Sequence, residues 1–172
     1  MVTTNHAQIA AAQLDDGIPV TELVERYRAG GALLRDAIAD LTHEQLLAHP
    51  IAGKMSAQEV VCHVADCDQF LADRMKRTIA MDRPLLVGAD GWLYPEALRY
   101  AERDLALQLA LVDATRAQLA ADLERLTPEA WERTAVHTET GLVTLRQLLL
   151  HTVRHLEHHV RTIEEKRAAL GA

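Results

Sequence analysis

The feature that most restricts the fold of this chain is a helical period carried through four long stretches, with no alternating apolar–polar run to compete with it. The first covers about residues 21–39, where Leu23, Val24, Tyr27, Leu34 and Ile38 line one face. Gly30 and Gly31 interrupt that stretch and are expected to weaken or bend it. Ser56 and Glu59 have the spacing of a capping box, in which each side chain bonds the other residue's backbone N–H. They open a second helix that runs to about residue 81. Thr42 with Gln45 and Thr144 with Gln147 repeat the device, the first at a short turn of helix, the second opening a final helix to about residue 170. Pro95 suits the first turn of the third helix, which continues to about residue 126. Thr127 and Pro128 start a short helix through Trp131, and "RTAVHTETGLV" reads as loop.

The pattern predicts an all-α fold, a four-helix bundle with a long crossover, "DRPLLVGADGWLY", between the second and third helices. Residues 19–172 read as a single domain and residues 1–18 as an N-terminal extension, with a short helix expected around residues 8–14. A chain of 172 residues can bury a real core. Because aromatic residues make up only 3 % of it, that core must be aliphatic. The net charge of −7 and the absence of any basic run argue against nucleic acid as a partner. No stretch approaches the roughly 20 apolar residues of a membrane span. The first residues lack the charged-then-apolar pattern of a signal peptide. Cys62 and Cys67 lie in one helix without CxxC spacing, which suits reduced thiols, so a cytoplasmic protein is expected.

Chemistry concentrates in the histidines. The chain has nine, and "HTVRHLEHH" carries His151, His155, His158 and His159. A helix advances about 100° per residue, so spacing gives direction. With His151 at zero, the apolar set Leu145, Leu148, Leu149, Leu156, Val160 and Ile163 centres at roughly 130–140°. His155 falls at roughly 40° and His159 at roughly 80°, flanking the core side. His151 and His158, at zero and roughly −20°, point away and are expected at the surface. The inner pair is spaced i, i+4, as needed to present two imidazoles to one ion. It is not HExxH, since Leu156 stands where that motif has its glutamate.

A third ligand must come from elsewhere, and His63 lies on the inner side of the second helix near the stripe Val60, Val64, Cys67, Leu71 and Met75. An inward histidine needs partners for both ring nitrogens, which a buried hydrogen bond or a metal can supply. Two facing helices that both direct histidines inward favour the metal, with His63, His155 and His159 as ligands. Cys67, one turn beyond His63, is either a fourth ligand or a small buried hydrophobe. Asp66 either orients His63 or is solvated.

The segments "GKMSAQEVVCHVADCDQFLADRM", "RPLL", "YAERDL" and "LVTLRQLLLHTVRHLEHHVRTI", in this order and spacing, resemble the DinB/YfiT-like superfamily of bacterial proteins. The similarity covers roughly residues 20–168. It implies an up-down-down-up four-helix bundle, a metal triad at His63, His155 and His159, zinc or nickel as the cofactor, and a homodimer. Two positions depart from the family pattern: Met55 replaces a common Trp, and Thr162 stands where Gln or His is frequent. The resemblance also implies chemistry with low-molecular-weight bacterial thiols such as bacillithiol or mycothiol. The leading expectation is therefore a metal-dependent thiol S-transferase acting on a small-molecule substrate. Three neutral imidazoles leave a coordination position open, for a thiol held as thiolate or for an acidified water. The alternatives are a metal-dependent hydrolase and a non-catalytic, stress-associated metal-binding dimer. His137, in "VHTETG", is the one acid–base candidate, either reaching the pocket mouth or a solvated loop residue; Trp92, Tyr94 and Arg83 are candidates for the pocket wall, with Trp92 alternatively an anchor for the loop.

Overall fold

The protein is described here as a computed structural model covering residues 17–172; the helix expected around residues 8–14 and most of the expected extension lie outside the described residues. Helices α1 (Val20–Ala37), α2 (His43–Leu47), α3 (Ala57–Ala80), α4 (Tyr94–Ala97), α5 (Leu105–Leu123) and α6 (Leu145–Leu170) are joined by loops and single 3-10 turns. Three short strands accompany them: β1 (Leu85–Leu86), β2 (Thr134–His137) and β3 (Gly141–Thr144). All three predicted capping boxes form, at Thr42, Ser56 and Thr144, so the starts of α2, α3 and α6 fall where the sequence puts them.

The four long helices make a four-helix bundle whose directions can be read from side-chain pairs. Arg146 donates to Ile18 O, Arg26 pairs with Glu157, and Arg167 donates to Ala37 O, so α1 and α6 run parallel. Arg28 pairs with Glu124 and Arg35 with Asp113, which makes α1 and α5 antiparallel. Arg103 pairs with Asp66 and Lys76 with Gln118, so α3 and α5 are parallel. In chain order the bundle is up-down-down-up. Each of α1 and α3 packs on both α5 and α6, so α3 faces α6 across the histidines.

Parallel α3 and α5 require the chain to return the length of the bundle, and that return occupies residues 81–104, longer than the sequence pattern predicted. Pro95 does not open the third long helix. It lies in the four-residue α4, and the chain then turns through Arg99 at φ 50°. The start of α5 is set by Asp104, whose carboxylate accepts from Leu107 N at 3.1 Å. The segment read as loop after Trp131 forms the β2–β3 hairpin, antiparallel, with β1 added in parallel on the other edge of β2. Two to four residues per strand are too few for a period of two to stand out against a helical background.

Apolar residues form two clusters. One holds Leu23, Tyr27, Met75, Leu119 and Leu149; the other holds Leu34, Val60, Val64, Val112 and Leu156. Along α3 and α5, Asp68 and Arg116 fall between the two clusters. They form a fully buried ion pair, Nε to Oδ2 at 2.5 Å and Nη2 to Oδ1 at 2.8 Å, while Nη1 donates to Tyr27 O at 2.9 Å. The guanidinium also lies 4.7 Å from the centre of the Tyr27 ring. This explains Gly30 and Gly31. A Cβ on Gly30 would overlap the Arg116 guanidinium, and one on Gly31 the Asp113 carboxylate, yet α1 continues through both residues unbroken. The glycine pair admits α5 side chains instead of ending the helix. Among the described residues no helix is long and apolar enough to cross a membrane.

Candidate metal centre

Facing α3 and α6 bring His63, His155 and His159 together. Ring centroids lie 4.5 Å apart for His155 and His159, 4.7 Å for His63 and His159, and 5.3 Å for His63 and His155. All three side chains are buried. Among the described residues, Nδ1 of His155 and Nδ1 of His159 have no hydrogen-bond partner. A buried polar atom left in that state costs about 1–3 kcal/mol, and two on adjacent rings offer their lone pairs or N–H groups to a shared ligand.

His63 is held by its surroundings. It hydrogen-bonds the Gly91 backbone, and the Trp92 ring stacks on it with centroids 5.8 Å apart. A Cβ on Gly91 would sit 3.1 Å from His63 Cε1, tighter than an ordinary contact, and 3.6 Å from Cys67 Sγ, in ordinary contact, so a side chain here would press on the His63 ring by a few tenths of an ångström. Burial lowers the His63 pKa to about 4, against weaker raising by the Gly91 bond and Asp66. Burial first, and neighbouring imidazoles second, push His155 and His159 well below the usual histidine range. All three are therefore neutral at pH 7, the form that ligates a cation.

Cys67 lies with them. Its Sγ is 3.5 Å from His63 Nε2, and ligand atoms of His63, Cys67 and His155 fall within 4.8 Å of one another. Burial raises the thiol's pKa, so the free group is a thiol, not a thiolate. Cys62 points elsewhere, toward Tyr100 O, with its pKa pushed up to about 12 by burial. Asp66 neither floats in solvent nor orients His63: it accepts from Tyr100 Oη at 2.7 Å and Arg103 Nη1 at 2.9 Å, tying the crossover to α3.

The cluster lines a cavity of about 160 Å³. His151, expected at the surface, is buried and lines this cavity, its ring 6.1 Å from that of His155. His158 is half-buried at its edge, with Lys54. Phase was measured against the helix–helix face, but the crossover covers the adjoining face and turns it into a wall. Trp92 stands at the opening, half exposed, whereas Tyr94 and Arg83 do not line the cavity. His137 is buried at the end of β2, where its Nδ1 accepts from Glu139 N at 3.2 Å, and it too is absent from the cavity wall. Sequence reasoning missed Arg74, a buried arginine on the cavity wall; its place one helical row beyond His63, Cys67 and Leu71 was the available signal.

Residues 26–163 match the DinB superfamily. The chain belongs to that superfamily. Among its relatives is a Bacillus licheniformis protein named "Putative metal-dependent hydrolase BLi00869/BLi00870/BL03027", 32 % identical over 142 residues, which cover 81 % of this chain and 80 % of that one. The structure of YfiT from Bacillus subtilis, described as "a probable metal-dependent hydrolase with an unusual four-helix bundle topology", superposes with a TM-score of 0.86 at 24 % identity, over 92 % of this chain and 93 % of that one. A mycothiol-dependent maleylpyruvate isomerase superposes with a TM-score of 0.67 at 14 % identity, over 84 % of this chain and 60 % of that one. These two similarities concern the fold. Of the two departures noted in the sequence, Thr162 donates to the backbone carbonyl of His159 at 2.8 Å, and Met55 packs on the second apolar cluster.

Proposed function

We propose that His63, His155 and His159 hold one divalent ion, zinc or nickel, and that the protein is a metal-dependent enzyme acting with a small thiol. The observation that carries the ion is the pair of buried, unpartnered Nδ1 atoms on His155 and His159, beside a His63 ring fixed by Gly91. An ion held by these three neutral imidazoles would supply an electrophilic centre for an outside ligand. The chain's own residues do the rest. Gly91 and Trp92 hold His63 and narrow the opening, and the neutral rings carry no proton that must leave before ligation.

The charge of the wall favours a thiol over water as the nucleophile. Arg74 and Lys54 are the charged side chains lining the cavity, and no carboxylate is among its lining residues. Water must lose a proton to a base to become reactive, whereas a thiol with an ordinary pKa near 8.5 ionises with little help. A wall with two cations and no acid stabilises an incoming thiolate and offers poor general-base assistance. Hydrolysis is the second reading, supported by the names of the relatives and by the imidazole of His151 as a neutral proton acceptor on the wall.

Cobalt-loaded Cys67→Ser protein separates the two, because its own thiol no longer contributes to the spectrum. A thiolate charge-transfer band on adding bacillithiol, mycothiol or glutathione, with turnover of a model electrophile, supports thiol transfer. An unchanged spectrum together with cleavage of esters or amides replaces it with hydrolysis.

A further inference from the structure

The cavity has a second polar end that the three histidines do not use. Along α3, His63, Cys67, Leu71 and Arg74 follow one face, and along the opposing α6, His159, His155 and His151 do the same one turn apart. One end of this double row is the histidine cluster. The other holds Arg74 and His151, close enough that the Arg74 charge helps lower the pKa of His151.

Arg74 is only 8 % exposed. Its Nη2 donates to Val87 O at 2.6 Å and its guanidinium lies over Phe70 at 4.8 Å, so its position is fixed from two sides. No other protein acceptor meets that guanidinium among the described residues, although the group carries further N–H donors. A buried cation is normally matched by a carboxylate, as Arg116 is by Asp68 in the same bundle. Arg74 has none on the cavity wall, in a chain whose net charge is −7. Glu139, outside the cavity wall, acts on Arg74 electrostatically, but no carboxylate pairs with the guanidinium among the described residues, so its remaining N–H donors are left for an occupant.

We propose that this cavity seats a short organic acid, with its carboxylate on Arg74 and its reacting end at the histidine cluster. A planar carboxylate matches a guanidinium edge through paired N–H donors. The space, about 160 Å³, is close to that of a cavity of about 150 Å³ that accepts a benzene ring. Along α6 His151 lies one helical turn, roughly 6 Å, from His155, whereas along α3 Arg74 starts about three turns, roughly 16 Å, from His63. The acid therefore runs from the guanidinium past His151 toward the His155 side of the cluster. Arg74 acts as a specificity residue. The inference rests on the reading of this cavity as the substrate site, and it is tested without the ion so that the two can fail separately.

Chelator-treated full-length protein is titrated with benzoate and with its neutral counterpart benzamide, by calorimetry. Benzoate is expected to bind at least about tenfold more tightly, which is about 1.4 kcal/mol. Arg74→Gln removes that preference, and Arg74→Lys, which keeps the charge, retains part of it. Equal binding of the two probes, no binding of either, or a benzoate preference that survives in Arg74→Gln overturns the proposal. Should Arg74→Gln fail to fold, the wild-type comparison and Arg74→Lys still decide. Metal content measured on untreated samples is independent: benzoate selectivity in a protein that binds no ion leaves Arg74 standing and removes the metal reading.

Discussion

Acidification of the metal-free protein offers a sharp test of the buried histidines. His63 and His151 have their pKa values lowered to about 4, in both cases mainly by burial. In the unfolded chain each returns to about 6.5. Between those values the unfolded state binds the proton and the folded state does not, so stability is complete above pH 7 and falls as the pH drops through 6.5 toward 4. At pH 5 the unfolded form is favoured by about 1.5 pH units per histidine, about 2 kcal/mol each and about 4 kcal/mol for the pair. His155 and His159 act in the same direction. Urea denaturation of chelator-treated protein at several pH values from 7 to 5 measures the slope. His151→Leu should remove about 2 kcal/mol from the drop between pH 7 and pH 5. A stability that is flat or rising as pH falls, or an unchanged slope in His151→Leu, refutes the claim that these rings are buried and neutral.

Two further perturbations test the frame around the site. Arg116→Ala leaves Asp68 buried without its partner and Tyr27 O without its donor; a loss of about 3–5 kcal/mol is expected, lowering Tm by roughly 10–15 °C in a scanning experiment. Gly91→Ala puts a methyl group against His63 and Cys67 while leaving the helices untouched, so metal affinity should fall about 10–100-fold with Tm of the metal-free protein nearly unchanged. Cys67→Ser should keep the full metal content if the cysteine only packs beside His63; loss of the ion would make Cys67 a ligand.

The helices were legible in the sequence because their starts are written locally: Ser56, Thr42 and Thr144 each meet a partner three residues on, and each caps as expected. The start of α5 was not, because Pro95 is an equally valid N-terminal signal for a helix that ends after four residues, and the decisive cap is Asp104. Helical phase brought His155 and His159 to the core side, and the structure brings them to His63. It failed for His151 because the wall beside it is made by a crossover rather than by a helix, and a crossover has no period. Gly30 and Gly91 illustrate the same limit. Each lies against a side chain distant in sequence: a Cβ on Gly30 would overlap Arg116, and one on Gly91 would make a tight contact with His63. Arg74 reads in the sequence as an ordinary polar residue of a long helix, and only its burial beside the cavity makes it chemically conspicuous.

The account depends most on the three histidines acting as one metal site, and metal content per chain measures that directly. Wild-type protein purified without chelator is expected to carry about one divalent ion per chain, with tetrahedral or five-coordinate geometry by X-ray absorption. His63→Ala, His155→Ala and His159→Ala should each lose most of it while keeping the helical circular dichroism of the bundle. A wild-type protein that binds no ion under metal-replete conditions, or a variant that keeps the full complement, would contradict the assignment.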